Sequence, residues 1–155
     1  MCNITESLRQ MVEENSDVIG RLLIPGVLDE MVMQRNNTYY LNHNANAQTA
    51  EHGAVFADQS CTLRMPPENL LLRGQGGVPG KTFAPLWQYV SGGSGFVSAN
   101  MMARLSTLYE EENYVLFAVI VAGGDSSSAS YFNYASNPTF TQSQIGRAVQ
   151  QECRD

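Results

Sequence analysis

Residues 105–122 read LSTLYEEENYVLFAVIVA: two apolar runs, Leu105 to Tyr109 and Tyr114 to Ala122, parted by the acidic turn Glu110-Glu111-Glu112-Asn113. Short runs rich in β-branched and aromatic side chains, separated by a polar break, predict two strands joined as a hairpin. The same kind of run recurs upstream. Val18 to Ile24 is stopped by Pro25-Gly26, which predicts a strand and then a turn. Met31 to Met33, Thr38 to Leu41, Gly53 to Ala57 and Asn69 to Leu72 are further short strand candidates, with a Met65-Pro66-Pro67 loop before the last. Many short strands and few helices point to a mainly β domain, a small barrel or sandwich.

The helical segments are few. Leu8, Met11 and Val12 recur at helical spacing within residues 5–15, which predicts a short amphipathic helix near the N-terminus. Phe83, Leu86, Trp87 and Val90 fall on one helical face, with Pro85 acceptable only in a first turn. Ser91 to Gly95 is flexible by composition, and residues 123–130 form a Gly/Ser-rich loop. From Pro138 onward, Phe140, Ile145, Ala148 and Val149 predict a terminal helix.

At 155 residues the chain is most simply one domain with a substantial core. A net charge of −6, with Lys81 the one lysine, argues against a nucleic-acid partner, which a basic face would serve. Cys2, Cys61 and Cys153 show neither metal-ligand spacing nor a disulfide framework. His43 and His52, nine residues apart with no third ligand at a characteristic distance, read as solvated loop residues, so neither a metal nor another cofactor is expected. No apolar run approaches the roughly 18 residues of a membrane helix. Residues 1–10 carry no basic-then-apolar leader, so a cytoplasmic location is expected for the chain as written.

Five segments, in order, resemble the class B sortases, cysteine transpeptidases that attach proteins to Gram-positive cell walls. They are NSDVIGRLLIPG (Asn15–Gly26), NNTYYLNHN (Asn36–Asn44), GAVFAD (Gly53–Asp58), NLLLRGQGGVPGKTFAPLWQY (Asn69–Tyr89) and TLYEEENYVLFAVIVA (Thr107–Ala122). The resemblance implies an incomplete sortase-type β-barrel: an N-terminal helix in residues 1–16, barrel strands in 17–122, and a loop and C-terminal helix in 123–155. The family is anchored at the cell surface.

Sortase chemistry requires a thiolate nucleophile, a histidine for proton transfer and an arginine for the oxyanion. The family's histidine lies in a Gly-His-Asn step, which here reads Gly74-Gln75-Gly76. Glutamine forms hydrogen bonds but cannot carry a proton near neutral pH, so no catalytic residue is intact in that step. Arg73 stands where the family carries tyrosine, a second departure. The family's cysteine and arginine lie on strands beyond the inserted helix, so neither carries over, and Cys153 precedes the place for the nucleophile. The resemblance therefore implies a degenerate or C-terminally truncated member.

The same resemblance nominates Asn37, Leu41, Gly74 and Gln75 as groove residues for a sorting-signal-like peptide. For Asn37 and Leu41 a turn residue and a core residue are equally good readings. A surface-assembly protein is the alternative partner, and open strand edges would favour self-association. A nucleotide-binding reading rests on Gly74 to Thr82, GQGGVPGKT, which ends like a phosphate loop. Its spacing carries one residue too many before the Gly-Lys pair.

Overall fold

The computed structural model describes residues 3–61, 70–76, 78–119 and 121. The chain divides into two compact units, residues 1–59 with 72–120 and residues 60–71 with 121–155. The first unit holds the elements described below, and the terminal helix expected from Pro138 onward lies outside the described residues.

Helix α1 (Asn3–Glu14) is followed by β1 (Val18–Ile24) and β2 (Leu28–Met33), and a 3-10 turn (Tyr39–Leu41) precedes β3 (Val55–Ala57) and β4 (Leu72–Arg73). A second 3-10 turn (Ala84–Trp87) runs into α2 (Gln88–Ser91), then α3 (Gly93–Ala99), β5 (Met102–Thr107) and β6 (Glu111–Val115). The strands form one sheet in the order β4-β3-β2-β1-β5-β6, antiparallel except for the β2–β3 pair. The fold is mainly β, a curled half-barrel sheet with helices. Among the described residues the sheet ends on β4 and β6.

The β1–β2 hairpin follows the sequence closely. Gly26, at φ 75°, occupies the left-handed position of the turn, and Val27 N donates to Ile24 O at 2.9 Å. The parallel β2–β3 pairing needs a long connection, and residues 34–54 supply it. Within that connection Thr38 to Leu41 is not a strand. Asn36 Oδ1 accepts from Thr38 N, Thr38 Oγ1 and Tyr39 N at 3.0, 3.0 and 2.8 Å, which winds the chain into the 3-10 turn.

The C-terminal hairpin differs from its expected register. Thr107 Oγ1 accepts from Tyr109 N and Glu110 N at 3.2 and 3.1 Å, and Thr107 N donates to Glu110 O at 2.8 Å. The turn therefore closes at Leu108 to Glu110, three residues early. Glu111 pairs on the strand opposite Ser106, and its carboxylate meets Arg104 at 3.4 Å. Of the described part of the Asn69–Leu72 run, residues 70–72, only Leu72 joins a strand.

Two helical expectations also change. Phe83 to Val90 is a 3-10 turn passing into a short helix, with Tyr89 buried while Trp87 and Val90 are each 48% exposed. Ser91 to Gly95, expected as a flexible stretch, closes α2 and opens α3. Gly93, at φ 66°, breaks and restarts the helix, and Phe96 packs edge-on against Tyr89 with ring centroids 5.3 Å apart.

Leu8, Val18, Met33, Tyr40, Ala54 and Phe56 make the core, with Met11 and Val12 of α1 packed against it. Each large apolar side chain buried here contributes roughly 1.5–3 kcal/mol. Tyr40 is fully buried, and its hydroxyl is satisfied by donating to Asp17 Oδ2 at 2.8 Å and accepting from Asn15 Nδ2 at 3.2 Å. Burial, reinforced by the Asp17 carboxylate, pushes the Tyr40 phenol up to about 12 from 10.0. The folded phenol thus keeps its proton where the unfolded one releases it. Raising the pH from 10 towards 12 favours the unfolded chain, and the loss levels off once the folded phenol ionises too. We expect Tyr40→Phe to lower stability at pH 7 by about 1–3 kcal/mol and to flatten this alkaline decline. Urea unfolding across that pH range measures both.

Candidate functional site

The site is built where residues 51–54 and the start of the 74–83 loop converge on the 3-10 turn at Tyr39–Leu41. Gly53, at φ 64°, lets residues 51–54 approach that turn. A Cβ at this position would lie 2.6 Å from Tyr40 O and 2.8 Å from Leu41 O. The approach allows Ala54 N to donate to Tyr40 O at 2.9 Å, which fixes the start of β3. Leu41 itself is 40% exposed, and its carbonyl accepts the side-chain amide of Gln75.

Gln75 lies two residues past the end of β4. Its own carbonyl accepts from Phe83 N at 2.6 Å, and a Cβ on Gly74 would meet the Phe83 ring at 2.8 Å. Phe83 thus closes the 74–83 loop against its own beginning. Two more contacts tie the end of that loop to the Gly53 connection. Lys81 Nζ donates to Glu51 O, and buried Thr82 donates from Oγ1 to His52 O at 2.5 Å. The lysine and threonine that a phosphate loop would offer to a nucleotide are both engaged with backbone carbonyls.

Of the residues nominated from the sequence, Leu41, Gly74 and Gln75 come together. Asn37 is turned to a neighbouring cluster, where Nδ2 donates to Asp58 Oδ2 at 2.9 Å and Oδ1 accepts from Gln59 N at 2.9 Å. The same Asp58 oxygen takes Arg73 Nε at 3.0 Å and Nη2 at 2.7 Å. The sequence marks Asp58 only as the end of GAVFAD and Thr82 only as the end of the phosphate-like run, and it nominates neither for this site. An aspartate after an apolar run and a threonine after a glycine-rich loop carry no pattern that separates them from surface residues.

His43 is engaged in local packing, whereas His52 is exposed. His43 stacks on Tyr39 at 4.0 Å, with Nδ1 2.8 Å from Tyr39 O and 2.9 Å from Asn42 Oδ1, both acceptors, so that nitrogen carries the proton. Arg35 covers Tyr39 at 4.2 Å. Glu30 titrates above its ordinary range because burial penalises its charge, with His52 acting in the opposite sense. Among the described residues no three His, Cys, Asp or Glu side chains gather as a metal would require. No described helix is long and apolar enough to cross a membrane. The polar groups around Gln75 are amides and carbonyls paired with one another.

No protein-family model matches the chain. It is 30% identical over 89 residues to a sortase B of Listeria monocytogenes, an alignment covering 56% of this chain and 36% of that protein. The structure of Listeria monocytogenes sortase B superposes with a TM-score of 0.72 at 24% identity, covering 93% of this chain and 79% of that one. A Staphylococcus aureus sortase B–substrate complex gives 0.74 at 17% identity, over 96% and 66%. This is the class B sortase fold. A mutant form of Clostridium perfringens sortase B agrees, with a TM-score of 0.64 at 23% identity over 71% of this chain and 52% of that one. The likeness to the class B sortases read from the sequence is borne out over the shared part.

Thr82→Val should destabilise the protein by about 1–3 kcal/mol, since it leaves the His52 carbonyl without its buried donor. Added ATP should leave the unfolding temperature unchanged, because Lys81 and Thr82 are already bound. Thermal unfolding with and without nucleotide reads both.

Proposed function

We propose that this sortase-like chain holds an extended peptide without cleaving it. The reading is carried by Gln75. The resemblance puts it at the family's histidine, and its amide is fixed on Leu41 O. An amide of this kind neither accepts a proton from a thiol nor delivers one to a leaving amine. It can position a backbone, and beside it Leu41 presents a half-exposed apolar side chain. The peptide class is taken from the sortase likeness, since a substrate complex is among the structures that superpose on this chain.

The test is a quenched fluorescent sorting-signal peptide incubated with the purified protein. Fluorescence should not rise, while the anisotropy of a labelled copy should. Leu41→Asp should weaken binding by about tenfold, the effect of losing one apolar contact and gaining a charge. Cleavage that is abolished by Cys153→Ala would contradict the proposal and make that cysteine the nucleophile.

A further inference from the structure

Arg73 and Gln75, the two departures from the sortase pattern, both bear on the 3-10 turn, Gln75 directly at Leu41 and Arg73 through Asp58 and Asn37. Arg73 closes β4, paired with Phe56 of β3. Its guanidinium places two donors on Asp58 Oδ2, at 3.0 and 2.7 Å, and Asn37 Nδ2 reaches that oxygen at 2.9 Å. Asp58 is 5% exposed, so these charge-assisted bonds form largely out of water, where they are strongest. One carboxylate thereby joins the end of β4, the residue after β3 and the entry to the 3-10 turn. Four residues past Asn37, the turn ends at Leu41, whose carbonyl holds Gln75.

We infer that Arg73 is a positioning residue, whose ion pair with Asp58 sets where Gln75 meets Leu41. The value of that placement rests on the peptide-holding reading, but the placement itself does not need a peptide. A fork of two nitrogens fixes direction as well as distance. A tyrosine in its place would bring no charge to Asp58, and a lysine would bring a point charge without the fork. The histidine-to-glutamine and tyrosine-to-arginine departures then form one unit. Arg73 anchors the strand end, and Gln75 fastens the next turn of chain to the same loop.

Hydrogen exchange followed by NMR separates this from a merely structural salt bridge, because Phe83 N donates to Gln75 O at 2.6 Å and reports on where Gln75 lies. In Arg73→Leu, exchange at Phe83 should quicken about tenfold relative to the amides of the β1–β5 ladder. Arg73→Lys should show a smaller change confined to the same amide. Arg21→Leu, which removes the exposed pair with Asp29, should leave Phe83 unaltered. Faster exchange at all amides alike, or no change at Phe83, overturns the inference. If Arg73→Leu does not fold, Arg73→Lys and Asp58→Asn decide it by the same ratio. The readout uses no peptide, so absence of peptide binding would fall on the proposed function and leave this result standing.

Discussion

The chain can carry this sheet only if residues 51–54 pass within van der Waals contact of the Tyr39–Leu41 turn. Gly53 permits that approach, and everything on the functional side of the fold hangs from it. Tyr40 drives its ring into the core and leaves its carbonyl to Ala54, while Leu41 leaves its carbonyl to Gln75. A buried carbonyl without a donor costs about as much as a lost hydrogen bond, so the Ala54 contact to buried Tyr40 is not optional. The parallel β2–β3 crossover, the start of β3 and the loop after β4 are thus fixed by one turn of three residues. The buried Tyr40 hydroxyl extends the same constraint to the end of α1, through Asn15 and Asp17.

Where local chemistry and tertiary packing agree, the sequence is readable. Val18–Ile24 closes on Pro25-Gly26 because the turn geometry is written into those two residues, and α1 follows from the spacing of Leu8, Met11 and Val12. The failures share a cause. Thr38–Leu41 looks like a strand by composition, but the Asn36 side chain supplies three hydrogen bonds that a composition rule cannot see. The acidic cluster Glu110–Asn113 looks like the tip of the last hairpin, yet Thr107 places the turn earlier and Arg104 draws Glu111 onto the strand. In both cases one short polar side chain outweighs the pattern around it.

The candidate site was half legible. Gln75 stands out because a residue that cannot titrate occupies a place where the resemblance requires one that can. The partners of the site are far apart in the chain: Leu41 lies 34 residues before Gln75, Asp58 15 before Arg73, and the Glu51 and His52 carbonyls each 30 before the Lys81 and Thr82 that reach them, and backbone acceptors leave no mark in a sequence. Lys81 and Thr82 illustrate the point from the other side. Read alone they suggest a phosphate, whereas in the fold they tie one loop to another.

The account turns on Gln75 being an amide fixed on Leu41 O rather than a side chain that rotates freely. A long-range NMR experiment detecting scalar coupling across hydrogen bonds tests this directly. With the chain labelled in nitrogen and carbon, the account predicts a correlation from the Gln75 side-chain nitrogen to the carbonyl carbon of Leu41. A Gln75 amide that shows no such correlation and exchanges at the rate of a free glutamine would contradict it.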